Sequence, residues 1–177
     1  MKLQKAFLTD ISELQKVCVN AYSNNFYDHW NDGGLEWYVE REFSVERLES
    51  DILDKDTEYY FIKQGLKNVG FIKTKNNTKK DIPIENALAL EKIYVLPECK
   101  GMGMGKAALN VIIKQAEEGG KEHIYLCVLD TNIQAIAFYE KLGFLFHSTT
   151  ILDVPYFKED LKGMHIMVKT LAKNQMT

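Results

Sequence analysis

The chain has 177 residues, which fits one domain whose core is large enough to stand without metal or disulfide staples. Lys and Arg number 22 against 25 Asp and Glu, leaving a net charge of −3 and a pI near 5.8. This balance excludes a global basic field of the kind that gathers nucleic acid or anionic lipid. The three cysteines lack paired spacing, the four histidines are scattered singly, and no run approaches the roughly 18 apolar residues of a membrane span. The opening residues also lack the apolar run of a signal peptide, so reducing cytoplasm is the expected compartment.

Taken in chain order, a short strand near Lys5 to Leu8 precedes a helix that Asp10 is placed to cap, with Ile11, Leu14, Val17 and Ala21 on one face. After an aromatic loop ending in Gly33-Gly34, helical patterns follow from about Leu35 to Arg41. Ser44 is placed to cap another helix bearing Val45, Leu48 and Ile52. The stretch from Asp28 to Glu58 is acidic, with eleven acids against Arg41, Arg47 and Lys55, so the rest of the chain is positive.

Two strands, Tyr59 to Lys63 and Val69 to Lys73, flank a Gly- and Asn-containing turn and read as a hairpin. The polar segment Lys75 to Glu85 reads as a mobile loop. The apolar run Ala87 to Leu96 reads as a central strand stopped by Pro97 and interrupted only by Glu91 and Lys92. A helix is expected from about Gly103 to Glu118, then a buried strand over Ile124 to Leu129. A short helix then opens with Thr131 and Gln134 at capping-box spacing and closes at Gly143. Phe144 to Thr150 and His165 to Lys169 complete a mixed α/β order in one domain, 1–177, with the last strand a candidate sheet edge.

The most informative stretch follows the central strand: Lys100-Gly101-Met102-Gly103-Met104-Gly105-Lys106. Glycines at alternate positions before a helix let the backbone approach a ligand and aim free N–H groups at one point. The helix dipole and two lysines then favour a phosphate or pyrophosphate. The spacing is wrong for a Walker A loop, since Gly101 and Gly105 have three residues between them rather than four and Ala107 follows Lys106. It also lacks the third glycine of a dinucleotide fingerprint.

The loop instead resembles that of the GCN5-related N-acetyltransferase (GNAT) family, Gln/Arg-x-x-Gly-x-Gly/Ala, with Lys100 in place of the usual Gln or Arg. The segment Asn132 to Phe144, with Phe138-Tyr139 and Leu142-Gly143-Phe144, is similar to the family's second signature. The resemblance implies a single domain built on a central, mostly antiparallel, twisted sheet of six to seven strands flanked by helices. It further implies a splayed strand pair that forms a cleft for acetyl coenzyme A.

On that resemblance Ile93, Tyr94 and Val95 contact the cofactor through their backbone, and Lys100, Gly101, Met102, Gly103, Met104, Gly105 and Lys106 hold its pyrophosphate. Tyr139 is implied as the acid toward the departing sulfur. Asn132 contacts the cofactor or assists helix capping. Glu91, an acid in an apolar strand, is a base for the incoming ammonium or the partner of a lysine. His147 and His165 are weaker base candidates. No metal is implied.

The acidic, aromatic segment suits a cationic acceptor by charge attraction and cation–π contact, with Asp28, Trp30, Glu36, Trp37 and Glu40 as the implied contacts. The expected reaction is acetyl transfer to a small-molecule primary amine in a ternary complex, with a polyamine as the expected acceptor. The chain also looks like bacterial spermidine/spermine N-acetyltransferases at Tyr38 to Glu40, Phe43 to Leu48 and Leu90 to Val95. The alternatives are a peptide or ribosomal-protein N-terminal acetyltransferase and a non-catalytic acyl coenzyme A module. A homodimer through the early helices or the last strand is a further expectation.

Overall fold

The computed structural model describes residues 1–76, 82 and 84–172. Seven strands, β1 (Lys2–Lys5), β2 (Thr57–Gln64), β3 (Lys67–Lys75), β4 (Ala87–Val95), β5 (His123–Leu129), β6 (Leu145–Ile151) and β7 (Gly163–Thr170), form one sheet in the order β1-β2-β3-β4-β5-β7-β6. The pairings are antiparallel except β4 with β5, which are parallel and joined through a helix. Five helices, α1 (Ile11–Phe26), α2 (Gly34–Phe43), α3 (Val45–Leu53), α4 (Met104–Glu118) and α5 (Ile133–Glu140), cover the two faces.

The helices divide because their apolar stripes meet different sides of the sheet. Leu14, Phe43 and Leu48 of α1, α2 and α3 pack with Tyr59, Phe61 and Phe71 on one face. On the other, Leu109 and Ile112 of α4 pack with Ile62, Ile72, Ile124 and Phe144. Each large side chain buried this way contributes roughly 1.5–3 kcal/mol before conformational costs.

Several local expectations are met by the stated chemistry. The Ser44 hydroxyl accepts the Arg47 N–H at 3.3 Å and caps α3, and Gly65 turns the β2–β3 hairpin at φ 60°. Others need correction. Asp10 does not cap α1 with its side chain; its carboxylate accepts the Phe7 N–H instead, at 2.9 Å. The final strand is no sheet edge, because β7 lies between β5 and β6 and leaves β6 at the border; a dimer through a free β7 edge is thereby removed. The segment read as a polar loop falls largely on residues 77–81 and 83, outside the described residues, but Ile82 and Ile84 are buried against Ala87, Ala89, Tyr125 and Ile166. Among the described residues no helix is long and apolar enough to cross a membrane.

Candidate active site

Strands β4 and β5 pair only where Ala87 to Ala89 meet His123 to Tyr125, and then separate. The cause lies on the other side of β4. There β3 follows it to Val95, opposite Gly70, where a Cβ would stand 2.3 Å from the Tyr94 carbonyl oxygen, so only glycine permits the approach. The Asn25 amide of α1 donates to the Val95 carbonyl at 3.1 Å. The second half of β4 is thus held by β3 and α1, and its other edge faces a gap. A cleft of about 1310 Å³ runs through this gap, from the glycine loop and the start of α4 to α2 and α3.

At the α4 end the lining is largely backbone. Gly101 and Gly103 hold φ 75° and 72°, a left-handed conformation that other residues adopt only under strain. No side chain caps α4, so its first-turn N–H groups remain without intrahelical partners. A Cβ on Gly105 would meet the protein only at ordinary contact distances, 3.8 Å from Val95 and 4.0 Å from Phe138. The chain's own packing therefore leaves room at Gly105 that a side chain would take from a ligand.

Lys100, Gly101, Gly103, Met104, Gly105 and Lys106 all line the cleft, as do Ile93, Tyr94 and Val95. Met102 does not: its side chain is exposed, which leaves only its backbone for the implied contact. The donor set, a helix N-terminus with two lysines, matches a pyrophosphate. The strand edge beyond Ala89 matches an amide-bearing chain lying along it.

Tyr139, on α5, lines the cleft and packs edge-on against Phe138 and Phe144, with ring centroids 5.1 and 5.7 Å away. Burial pushes its phenol above the ordinary value, so it holds its proton at neutral pH. Burial also raises Tyr94, further helped by Tyr38 and Tyr139. Asn132 lines the cleft and also caps α5, its side-chain oxygen accepting the Ala135 N–H at 3.1 Å. It does what the spacing assigned to Thr131, because the helix begins one residue later than a cap at Thr131 requires.

At the α2 and α3 end the lining is made of charged side chains on aromatic walls. A register shift in the β3–β4 ladder pairs Lys73 with Lys92 and Thr74 with Leu90, leaving Glu91 as a bulge. The extra residue breaks the alternation, so Glu91 and Lys92 both reach groups on the α1–α3 face. Lys73, only 3% exposed, binds Asp51 at 2.8 Å and Glu91 at 3.1 Å. Lys92, 10% exposed, binds Glu42 at 3.1 Å and the Tyr38 hydroxyl at 3.2 Å.

Burial opposes the charge of Lys92, but Tyr38, Glu42 and Tyr94 outweigh it and raise Lys92 well above the ordinary lysine value. Asp51 and Glu42 behave correspondingly. Burial pushes both up, and the neighbouring lysines, with further hydrogen bonds and Arg47, bring them below the ordinary carboxylate range. Glu91 is therefore the partner of a lysine and, at 22% exposed, also a group that lines the cleft.

The five residues assigned to the acceptor are placed elsewhere. Asp28, Trp30, Glu36, Trp37 and Glu40 do not line the cleft. Trp30, 7% exposed, packs edge-on against Phe157 and lies near Tyr22 and Tyr38 as part of the core. Trp37 carries the Arg41 guanidinium over its ring at 5.0 Å and contacts Tyr156. Glu36 and Glu40, one turn apart on α2, face solvent, whereas Tyr38 and Glu42, also one turn apart, face the cleft. His147 and His165 lie outside the cleft lining, while His29, which composition did not single out, is part of it; burial, only partly offset by Asp28, lowers its pKa. Lys73 and Asp51 also escaped the sequence reading. The one signal toward them was a charge pair, Glu91-Lys92, within an otherwise apolar strand.

Comparison with known proteins agrees with this geometry. The model of the acetyltransferase (GNAT) family matches residues 19–144. A Methanocaldococcus jannaschii protein named as an uncharacterized N-acetyltransferase is 31% identical over 121 residues, 68% of this chain and 49% of its own length. The spermine/spermidine N(1)-acetyltransferase of Bacillus subtilis is 31% identical over 83 residues, 46% of this chain and 49% of its own. The aligned segments thus span about half the length of these relatives. Among solved structures, the PaiA N-acetyltransferase of Thermoplasma acidophilum in complex with coenzyme A superposes with a TM-score of 0.76 at 21% identity, covering 96% of this chain and 98% of that one. The matched residues run from α1 through the glycine loop to the end of the Leu-Gly-Phe signature, and the chain belongs to the acetyltransferase (GNAT) family.

Proposed function

We propose that the chain transfers an acetyl group from acetyl coenzyme A to a small primary amine, by direct attack with both ligands bound. The observation that carries this reading is one continuous cleft. It joins a helix N-terminus ringed by glycines and lysines to a carboxylate, Glu91, and a protonated phenol, Tyr139. Acetyl coenzyme A, when bound, supplies the acetyl group as an activated thioester. Lys100, Lys106 and the first-turn N–H groups of α4 would hold its pyrophosphate, and the free edge of Ile93 to Val95 its extended chain.

Glu91 takes the proton that an incoming ammonium must lose before its nitrogen can attack. Lys73 makes this tolerable. Its closer contact, at 2.8 Å, is to Asp51, so it keeps a counter-ion when Glu91 becomes neutral. Tyr139 holds a proton at its hydroxyl for the sulfur that departs. The nitrogen–carbon bond forms as the carbon–sulfur bond breaks; of the two protons the ammonium loses, one passes through Glu91 to solvent and the other balances the proton that Tyr139 gives to the sulfur.

A polyamine acceptor keeps the support of the named Bacillus subtilis relative and of the acidic stretch from Asp28 to Glu58. It loses the support of the five residues above, which lie outside the cleft lining. Release of free thiol from acetyl coenzyme A, followed across an amine panel that includes spermidine and spermine, tests the reaction. Coenzyme A binding without turnover on any amine would reject transfer and leave a binding module.

A further inference from the structure

We infer that the acceptor carries a carboxylate as well as its amine, an amino-acid-like molecule rather than a polycation. The inference rests on the transfer reading and narrows it. Arg41, Arg47, Lys73 and Lys92 line the cleft together with three carboxylates, Glu42, Glu91 and, on the segment after β6, Asp153. Asp51 binds two of these cations from behind, so the four cations pair with Asp51, Glu42 and Glu91, while Asp153 takes part in none of these ion pairs. The paired carboxylates are already committed. Asp51 holds Lys73 at 2.8 Å and Arg47 at 3.2 Å, and Glu42 holds Lys92 at 3.1 Å with Arg41 at 3.7 Å.

A polyamine held by Glu42 or Asp51 would have to displace a buried lysine from its partner, which leaves that cation unpaired. Asp28, Glu36 and Glu40 do not line the cleft, which leaves Asp153 as the one lining carboxylate without an ion pair among the described residues. The two guanidiniums stand differently from the two lysines. Arg41 and Arg47 have side chains 54% and 45% exposed, and their contacts to carboxylates use only part of a fork with five donors. They form a cationic rim with donors to spare at the α2–α3 end, and Arg47 connects to Glu91 through Asp51 and Lys73.

A ligand with its carboxylate on this rim and its amine turned inward to Glu91 uses both kinds of lining. Aromatic rings of Tyr22, Phe26, Tyr38 and Tyr94 provide an apolar wall for the part between.

The test pairs each amino acid with the amine that lacks only its carboxylate: lysine with cadaverine, ornithine with putrescine, phenylalanine with phenethylamine, with spermidine alongside. In the pair turned over fastest, the carboxylated member is expected to lead by about 10- to 100-fold in kcat/KM, the range of one charge-assisted contact. Arg41→Gln and Arg47→Gln should each bring that ratio toward one, chiefly through KM of the amino acid, with urea midpoints confirming that both variants are folded. A decarboxylated amine or spermidine as the best acceptor would overturn the inference while leaving acetyl transfer intact. A ratio unmoved by either substitution would also overturn it. Coenzyme A binding without turnover on any amine would remove the transfer reading, and this inference with it.

Discussion

At the α4 end of the cleft the groups that face a ligand belong to the main chain, fixed by two left-handed glycines and a helix without a side-chain cap. At the α2–α3 end they belong to side chains, held by a lattice of ion pairs around two nearly buried lysines. Main-chain donors offer the same geometry whatever the neighbouring side chains, which suits a ligand common to a whole family. Side-chain charges can be exchanged singly, which suits the ligand that differs between members. The two ends should consequently fail in different ways.

The largest loss is expected at Asp51. Asp51→Ala leaves Lys73 buried with Glu91 as its one remaining carboxylate and should cost about 3–5 kcal/mol, read from urea unfolding. A loss below ~1 kcal/mol would mean that the charge lattice does not hold this end together. The same groups predict the acid limb. Because Asp51 and Glu42 are held below the ordinary carboxylate range, their stabilisation is complete above that range and is lost as pH falls through the lowered native values. Asp51→Asn should flatten the fall of the urea midpoint on that side.

Tyr139→Phe is expected next, with kcat lowered about 100-fold and coenzyme A affinity kept, since a positioned acid contributes about that much. An unchanged rate would remove Tyr139 from proton transfer. Gly103→Ala forces a side chain into φ 72°, at a cost of about 1–3 kcal/mol. Calorimetry should show that cost mainly as weaker coenzyme A binding, the donor end failing through geometry rather than charge. The smallest effect is expected at Ser44→Ala, about 1 kcal/mol of stability from loss of the α3 cap.

The donor end was legible in the sequence because its function demands particular residue types at fixed offsets: glycines where φ is positive, lysines beside them, Tyr139 in its signature. The acceptor end was not, for two physical reasons. Helix phase decides which acids of α2 face inward, and composition cannot show that Glu42 turns toward the cleft while Glu36 and Glu40 turn away. Lys73 was read as the last residue of its strand, yet β3 continues to Lys75, which places Lys73 inside the sheet where it must find partners. The splay of β4 from β5 was implied only by the family resemblance, since it depends on where pairing stops rather than on any residue's preference.

The order of the sheet also bears on how the chain comes to be folded during synthesis. Among the described residues strand β6 pairs with β7 alone, and β7 leaves the ribosome after it. Until it arrives, β6 has no place in the sheet and β5 presents an open border. Both carry apolar side chains, among them Leu145 and Phe146 on β6 and Ile124 and Leu126 on β5. The nascent chain therefore passes through an interval with two unpaired strand edges, the condition in which chaperone contact matters most. Shortening the chain before Gly163 would make that interval permanent, costing the protein two strands rather than one.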